Sequence, residues 1–145
     1  MVNARIDITQ DLDGQAVVLA CFDLSEGDIA ASAHAVAVAR TERYRLTEMS
    51  VDDVLAMREL TALADDLDQL ARLPGACTVV LRPARLTAFR GALEDFVTAR
   101  DDAGWVRESD AEHLPAARRL LLPLADLAAD ALRAALTPEA FGRSA

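Results

Sequence analysis

The sequence predicts an α+β fold, in which a small N-terminal antiparallel sheet of three or four strands packs against three or four C-terminal helices. The length of 145 residues is typical of one domain. Up to residue 49 the apolar residues recur mostly with the period of strands, and from residue 50 with that of helices. We therefore expect a single domain over 1–145, mainly β over 1–49 and mainly helical over 50–136, with a tail over 137–145.

The first two strands are predicted as a hairpin. Polar and apolar residues alternate over Arg5–Thr9, and a β-branched, apolar run follows at Gln15–Phe22. Between them, Asp11–Gly14 has the composition of a tight turn, because glycine tolerates the positive φ that such turns need.

The segment Ile29–Tyr44 supports two interpretations. Val36, Val38, Tyr44 and Leu46 share even parity, which favours a long third strand over roughly Ala35–Thr47. The many alanines in the same segment favour a helix. We expect the strand; the helix would instead make the chain a mostly helical bundle.

From Ser50 the period is helical. Ser50 and Asp53 match a capping box, and Gly75 is suited to end the helix. A short buried strand is predicted at Cys77–Leu81. The next helix is expected over about Pro83–Arg100, because proline fits the first helical position.

The last helix-forming run, Ala116–Leu136, is apolar around most of its circumference. At about 100° per residue, its polar side chains fall in a stripe about 60° wide. These are Arg119, Asp126, Asp130 and Arg133. Such a helix must be buried on several sides, either at the centre of the fold or against another subunit. Leu120, Leu124 and Leu127 are the residues expected at a subunit interface.

Two prolines lie within or beside this run. Pro115 is expected to begin the last helix, after a separate short helix capped by Ser109 and Glu112. Pro123 is expected to kink the helix, because proline removes one backbone hydrogen bond.

The composition excludes several classes of function. The net charge is −9, and all fifteen basic residues are arginines, as in proteins from GC-rich bacterial genomes. Without lysine, Schiff-base chemistry and a phosphate-loop lysine are impossible. An acidic surface repels nucleic acids and anionic membranes, so neither is expected as a partner. With no secretory signal and no apolar run of spanning length, we expect a cytoplasmic protein.

No motif predicts a catalytic residue, a metal or a cofactor. His34 and His113 lie far in sequence from both cysteines and lack the spacing of zinc ligands. Cys21 and Cys77 lie in apolar runs and are expected to be buried and inert. No glycine-rich phosphate loop and no nucleophile elbow is present.

One group of arginines is the best candidate for ligand binding. Arg82, Arg85 and Arg90 surround the start of the Pro83 helix, where an anion is favoured. They have a second interpretation, as partners of the acidic face of the Ser50 helix, which needs no ligand and which we favour. Trp105 is either a lid on the core or an exposed anchor for a partner.

Three functions remain as hypotheses. The first is an interaction or regulatory assembly protein, homo-oligomeric through Ala116–Leu136 or bound to another protein. The second is a domain that binds or transforms a small anion through the three arginines. The third is an acidic neutraliser of a basic partner, such as an immunity protein or nucleic-acid mimic, acting through Asp65, Asp66 and Asp68.

Overall fold

The computed structural model describes residues 3–45 and 48–136. The strands are β1 (Ala4–Gln10), β2 (Ala16–Leu24) and β3 (Cys77–Leu81). The helices are α1 (Glu26–Arg43), α2 (Val51–Ala71), α3 (Pro83–Asp102) and α4 (Glu108–Leu136). The predicted α+β class is confirmed, whereas the expected tail over 137–145 lies outside the described residues.

The sheet is antiparallel with the order β1-β2-β3. The predicted hairpin is confirmed: Asp11 Oδ1 accepts hydrogen bonds from the backbone N–H groups of Asp13 and Gln15, both at 2.9 Å. Gly14 has a φ of 78°, the left-handed conformation that favours glycine. The predicted strand at Cys77–Leu81 is also present and pairs with β2.

The prediction of a strand over Ala35–Thr47 is wrong in its described part, because α1 occupies Glu26–Arg43; residues 46–47 lie outside the described residues. The N-cap of α1 is Ser25, upstream of the expected strand. Its hydroxyl accepts a hydrogen bond from the N–H of Asp28 at 3.1 Å. The buried residues of α1 recur with the period of a helix: Ile29, Ala31, Ser32, Ala35, Val36 and Ala39. The even parity of the valines therefore did not reflect a strand, and β structure in this part of the chain ends at Leu24. The mostly helical bundle is not formed, since β3 supplies the third strand.

The helix predicted from Ser50 is confirmed together with its capping box. Ser50 Oγ accepts from the N–H of Asp53 at 3.1 Å, and Asp53 Oδ2 accepts from the N–H of Ser50 at 2.9 Å. The Ser50 N–H, which donates to the carboxylate, and then the Ser50 side chain hold the pKa of Asp53 below its usual value of 3.8. At the other end, Gly75 has a φ of 87°.

The prediction of a separate short helix before Pro115 is wrong. A single helix of 29 residues runs over Glu108–Leu136 and contains Pro115 and Pro123. Its buried positions Asp110, Ala117 and Leu120 continue in helical spacing across Pro115. Packing of this face offsets the backbone hydrogen bond that each proline removes. The kink at Pro123 stays a prediction.

Helix α4 is central to the packing. It contacts α1, α3, β1 and β2, and α1 in turn contacts α2 and α3. The largest fully buried side chains include Phe22, Phe89 and Phe96. None of the described helices has both the length and the apolar character needed to cross a membrane.

Candidate functional site

Helix α4 carries two separate apolar faces. The first, which we call the inner seam, comprises Ala117, Leu120, Leu124, Leu127, Ala131 and Ala134, all buried. Leu124 is 0% exposed and Leu127 is 5% exposed. Leu120, Leu124 and Leu127, the leucines expected at a subunit interface, thus lie in the core of the chain itself.

The second apolar face, which we call the outer seam, comprises Leu122, Ala125, Ala129, Leu132 and Leu136. Its three leucines are exposed, Leu122 to 71%, Leu132 to 59% and Leu136 to 75%. The spacing alternates between three and four residues, as in the seam of a coiled coil. At 100° per residue the outer seam covers an arc of about 80° and lies roughly opposite the inner seam. The apolar circumference of α4 therefore has two parts, and only one is covered within the chain.

The predicted polar stripe borders the outer seam. Within this stripe, Arg133 Nη2 donates to Asp130 Oδ1. Arg119 Nη2 lies 3.5 Å from Asp28 Oδ1 on α1. Asp126 is exposed beside the same seam. One edge of the outer seam is thus lined by charges of both signs.

A second feature is a charged cluster that joins three helices, which we call the Asp110 cluster: His34, Glu42, Arg100 and Asp110. Asp110 Oδ1 accepts from His34 Nε2 at 2.7 Å, and Asp110 Oδ2 accepts from Arg100 Nε at 3.1 Å. Arg100 Nη2 donates to Glu42 Oε1 at 2.5 Å, and Nη1 donates to the carbonyl of Phe96 at 3.4 Å. The guanidinium of Arg100 is therefore occupied by partners within the chain.

The hydrogen bonds of the cluster outweigh the effect of burial on two pKa values. Burial opposes ionisation of Asp110, yet the hydrogen bonds from His34 and Arg100 hold its pKa below the usual value of 3.8. Burial likewise disfavours the charged form of Arg100, but the carboxylates of Glu42 and Asp110 raise its pKa. Both members of the central ion pair are thus charged at neutral pH.

We expect the free energy of unfolding to fall more steeply below about pH 4 in the wild type than in Asp110→Asn. The folded pKa of Asp110 is below its unfolded value, so its ionisation stabilises the fold fully above pH 3.8. That stabilisation is lost as the pH falls through the folded pKa. Urea unfolding from neutral to strongly acidic pH measures the difference in unfolding free energy between wild type and Asp110→Asn. This difference should become smaller as the pH falls. The exposed Asp102→Asn variant is the control, and an equal pH dependence in Asp110→Asn would contradict the assignment.

Aromatic contacts complete the surroundings of His34. Its ring lies 5.7 Å from that of Phe96 in an edge-on arrangement and 4.6 Å from that of His113, between ring centroids. The Arg100 guanidinium lies 4.7 Å from the centroid of the Phe96 ring. Both histidines of the sequence are thus brought together, although neither was predicted to act with the other. Nowhere in 3–45 or 48–136 do His, Cys, Asp and Glu side chains form a group suited to a metal ion.

The Asp110 cluster forms one wall of an open cleft of about 570 Å³, which we call the Trp105 cleft. Trp105 lies between α3 and α4 and is 75% exposed, so it is not a lid on the core. Arg45 and Arg107 also line the cleft. Sequence reasoning named Trp105 but missed the cluster, whose members lie on three helices with no short spacing to signal them.

The structure places the three candidate arginines in different environments. Arg85 Nε lies 2.9 Å from Glu59 Oε2, and its Nη1 lies 3.6 Å from Asp66 Oδ2, both on α2. Arg90 lies 3.0 Å from Glu94 on the same helix. Arg82 precedes α3 and is exposed. The pairing of Arg85 with the acidic face of α2 is the interpretation that the sequence favoured, and the three side chains do not converge on one site.

The acidic face of α2 is partly neutralised within the chain. Asp66 faces Arg85, and Asp68 Oδ2 accepts from Arg72 Nη2 at 2.9 Å. Asp65 is exposed. The surface that this face offers to a basic partner is therefore smaller than the sequence implies.

The cysteines are free thiols that lie on opposite faces of the sheet. Cys21 is buried, and its thiol donates to Asp7 Oδ2 at 3.4 Å. Burial first, and then this carboxylate, raise the pKa of the Cys21 thiol, so it is protonated and unreactive at neutral pH. Cys77 is partly buried against the core.

No protein-family model, curated protein or solved structure matches the chain.

Proposed function

We propose that this protein is an interaction protein that works as a homodimer, in which the outer seams of two α4 helices pack against each other antiparallel. The observation that carries the proposal is the exposure of Leu122, Leu132 and Leu136 in the spacing of a coiled-coil seam. A soluble chain gains free energy by covering such a stripe, at about 25 cal/mol for each Å² of apolar surface removed from water.

Small residues between the leucines favour close approach of a second helix. Ala125 and Ala129 lie between Leu122 and Leu132 along the seam, so a leucine from a facing helix meets little steric obstruction there. From Leu122 to Leu136 the seam is about 21 Å long at 1.5 Å per residue. One helix pair of this length is at the small end of stable interfaces, so we expect dimerisation to depend on concentration.

Charge complementarity favours a second copy of the chain in the antiparallel orientation. Asp126 and Arg133 lie seven residues apart on the same edge of the seam. Their midpoint falls next to Ala129, which is also the midpoint of the seam. A two-fold axis near Ala129 therefore places Asp126 of one protomer opposite Arg133 of its partner, twice over. Arg133 keeps its contact with Asp130, since a guanidinium has donors for both carboxylates.

The first test is the solution mass of wild type and of Leu122→Asp/Leu132→Asp, by light scattering on a sizing column over a wide range of concentration. We expect wild type to approach twice the chain mass of 15.6 kDa and the double variant to remain a folded monomer. The matched control is Leu12→Asp/Leu73→Asp, which changes two exposed leucines elsewhere and should still dimerise. A wild type that stays monomeric at every concentration would overturn the proposal.

The orientation is tested separately by exchanging charges. Asp126→Arg should weaken the dimer, because it places two arginines opposite each other across the interface. Adding Arg133→Asp in the same chain should restore dimerisation, since the pair is then present with its signs reversed. Failure of the second change to restore the dimer would exclude the antiparallel arrangement.

A further inference from the structure

We propose that the Trp105 cleft binds a flat aromatic anion, whose ring stacks on Trp105 and whose negative group is held by Arg45 and Arg107. The cleft, at about 570 Å³, has the size of small-molecule sites. Asp110, at its wall, lies about 18 Å along α4 from the start of the outer seam at Leu122, so the proposal does not depend on the dimer.

Trp105 provides an aromatic surface without an aromatic partner in the described chain. The ring contacts there join Phe22 to Phe89 and His34 to Phe96 and His113, and none includes Trp105. An indole that is three-quarters exposed leaves a large apolar face in water, and a stacked planar ligand would cover it.

The other apolar lining extends this surface. Ala37 and Val38 of α1, Ala99 and Ala103 at the end of α3, and Val106 line the same cleft. These apolar side chains, most of them small, line the same cleft as the indole. An aromatic ligand fits this combination better than a purely polar one.

Charge in the cleft favours an anion. Within the Asp110 cluster the single positive charge of Arg100 is shared by two carboxylates, Glu42 and Asp110. Arg45 and Arg107 are exposed and, in the part of the chain that the structure describes, have no carboxylate within ion-pair distance. With three arginines against two carboxylates in its lining, the cleft keeps an excess of one positive charge on a chain whose net charge is −9. Guanidinium groups bind carboxylate and phosphate oxygens in a forked geometry, which suits either anionic group.

The Asp110 cluster has a defined part in this site. Because Arg100 is bound by Glu42, Asp110 and the carbonyl of Phe96, it holds the wall rather than the ligand. The cluster ties α1, α3 and α4 together at the cleft. Trp105 and Arg107 lie in the short linker between α3 and α4, so the two helices that this linker joins are held in place. A preformed site loses less conformational entropy on binding.

The sole tryptophan of the sequence makes the test direct, because its fluorescence reports only on residue 105. The probes are benzoate and phenyl phosphate, compared with cyclohexanecarboxylate, which lacks the aromatic ring, and benzyl alcohol, which lacks the charge. We expect saturable changes in emission with the two aromatic anions and about tenfold weaker binding of the other two probes. Titration calorimetry confirms the affinities without relying on fluorescence.

Variants separate this site from non-specific attraction. Arg107→Gln and Arg45→Gln should each weaken benzoate binding, whereas Arg58→Gln, which removes an exposed arginine of α2, should leave it unchanged. Trp105→Leu should abolish the preference for benzoate over cyclohexanecarboxylate in calorimetry. A linear, non-saturable quench, equal affinity for all four probes, or an equal effect of Arg58→Gln would overturn the proposal.

Discussion

The double variant Leu124→Asp/Leu127→Asp should not fold. Both side chains belong to the inner seam and are 5% exposed or less. Truncating one such leucine to alanine already costs about 2–5 kcal/mol, and an unpaired carboxylate in the same place costs more. Since small domains are stable by about 5–15 kcal/mol, two such changes exceed what this chain can lose.

Far-UV circular dichroism and urea unfolding measure this outcome. The matched control is Leu122→Asp/Leu132→Asp, which adds the same charges to the same helix on the outer seam and should retain the helical signal and a cooperative transition. If the inner pair folds to a monomer as readily as the outer pair, α4 is not part of the core. If both variants unfold, the outer seam is not a free surface of the folded chain.

This contrast defines what the sequence can predict about α4. The wheel of Ala116–Leu136 shows that leucines and alanines surround a narrow polar stripe, which predicts burial on several sides; within the chain only the inner seam is buried, and Leu122, Leu132 and Leu136 are exposed. It does not show which side faces the chain's own core, because the inner and outer seams have the same residue types and the same spacing. That choice depends on where α1, α3 and the sheet lie, which is tertiary information.

Elements with local signals were predicted well. The turn at Asp11–Gly14 and the capping box of Ser50 and Asp53 depend on residues within four positions of one another, and both are present. Helix α1 was missed because alanine contributes little to hydrophobic periodicity, so the valines at even positions dominated the pattern. The stronger local signal was the Ser25 cap, with acidic residues in the first turn.

The Asp110 cluster was not predictable, because its members are distant in sequence. Asp110 is 76 residues from His34, and Arg100 is 58 residues from Glu42. Each of these side chains taken alone resembles an ordinary charge on the polar face of a helix. Only the packing of α1, α3 and α4 turns them into one partly buried network, and its effect on stability can be measured directly.

Breaking the central ion pair of that cluster should cost about 3–5 kcal/mol of unfolding free energy, because the remaining buried charge keeps only its second partner, His34 for Asp110 or Glu42 for Arg100. The side chains of Arg100 and Asp110 are only 13% and 11% exposed. We therefore expect Arg100→Met and Asp110→Leu each to lower the urea midpoint strongly. The double variant should lose less unfolding free energy than the two single variants lose together, since two apolar side chains need no partner.

The pair Arg43–Asp95 is the matched control, because it also joins α1 to α3, with its charged atoms 2.7 Å apart. Asp95 is 53% exposed, so water already solvates this pair in the folded chain. Arg43→Met and Asp95→Leu should each change the unfolding free energy by less than about 1 kcal/mol, with little coupling. Equal effects at the two pairs would mean that the Asp110 cluster is solvated like a surface ion pair. A large coupling confined to Arg100 and Asp110 would instead identify burial as the property that makes this cluster hold the three helices together.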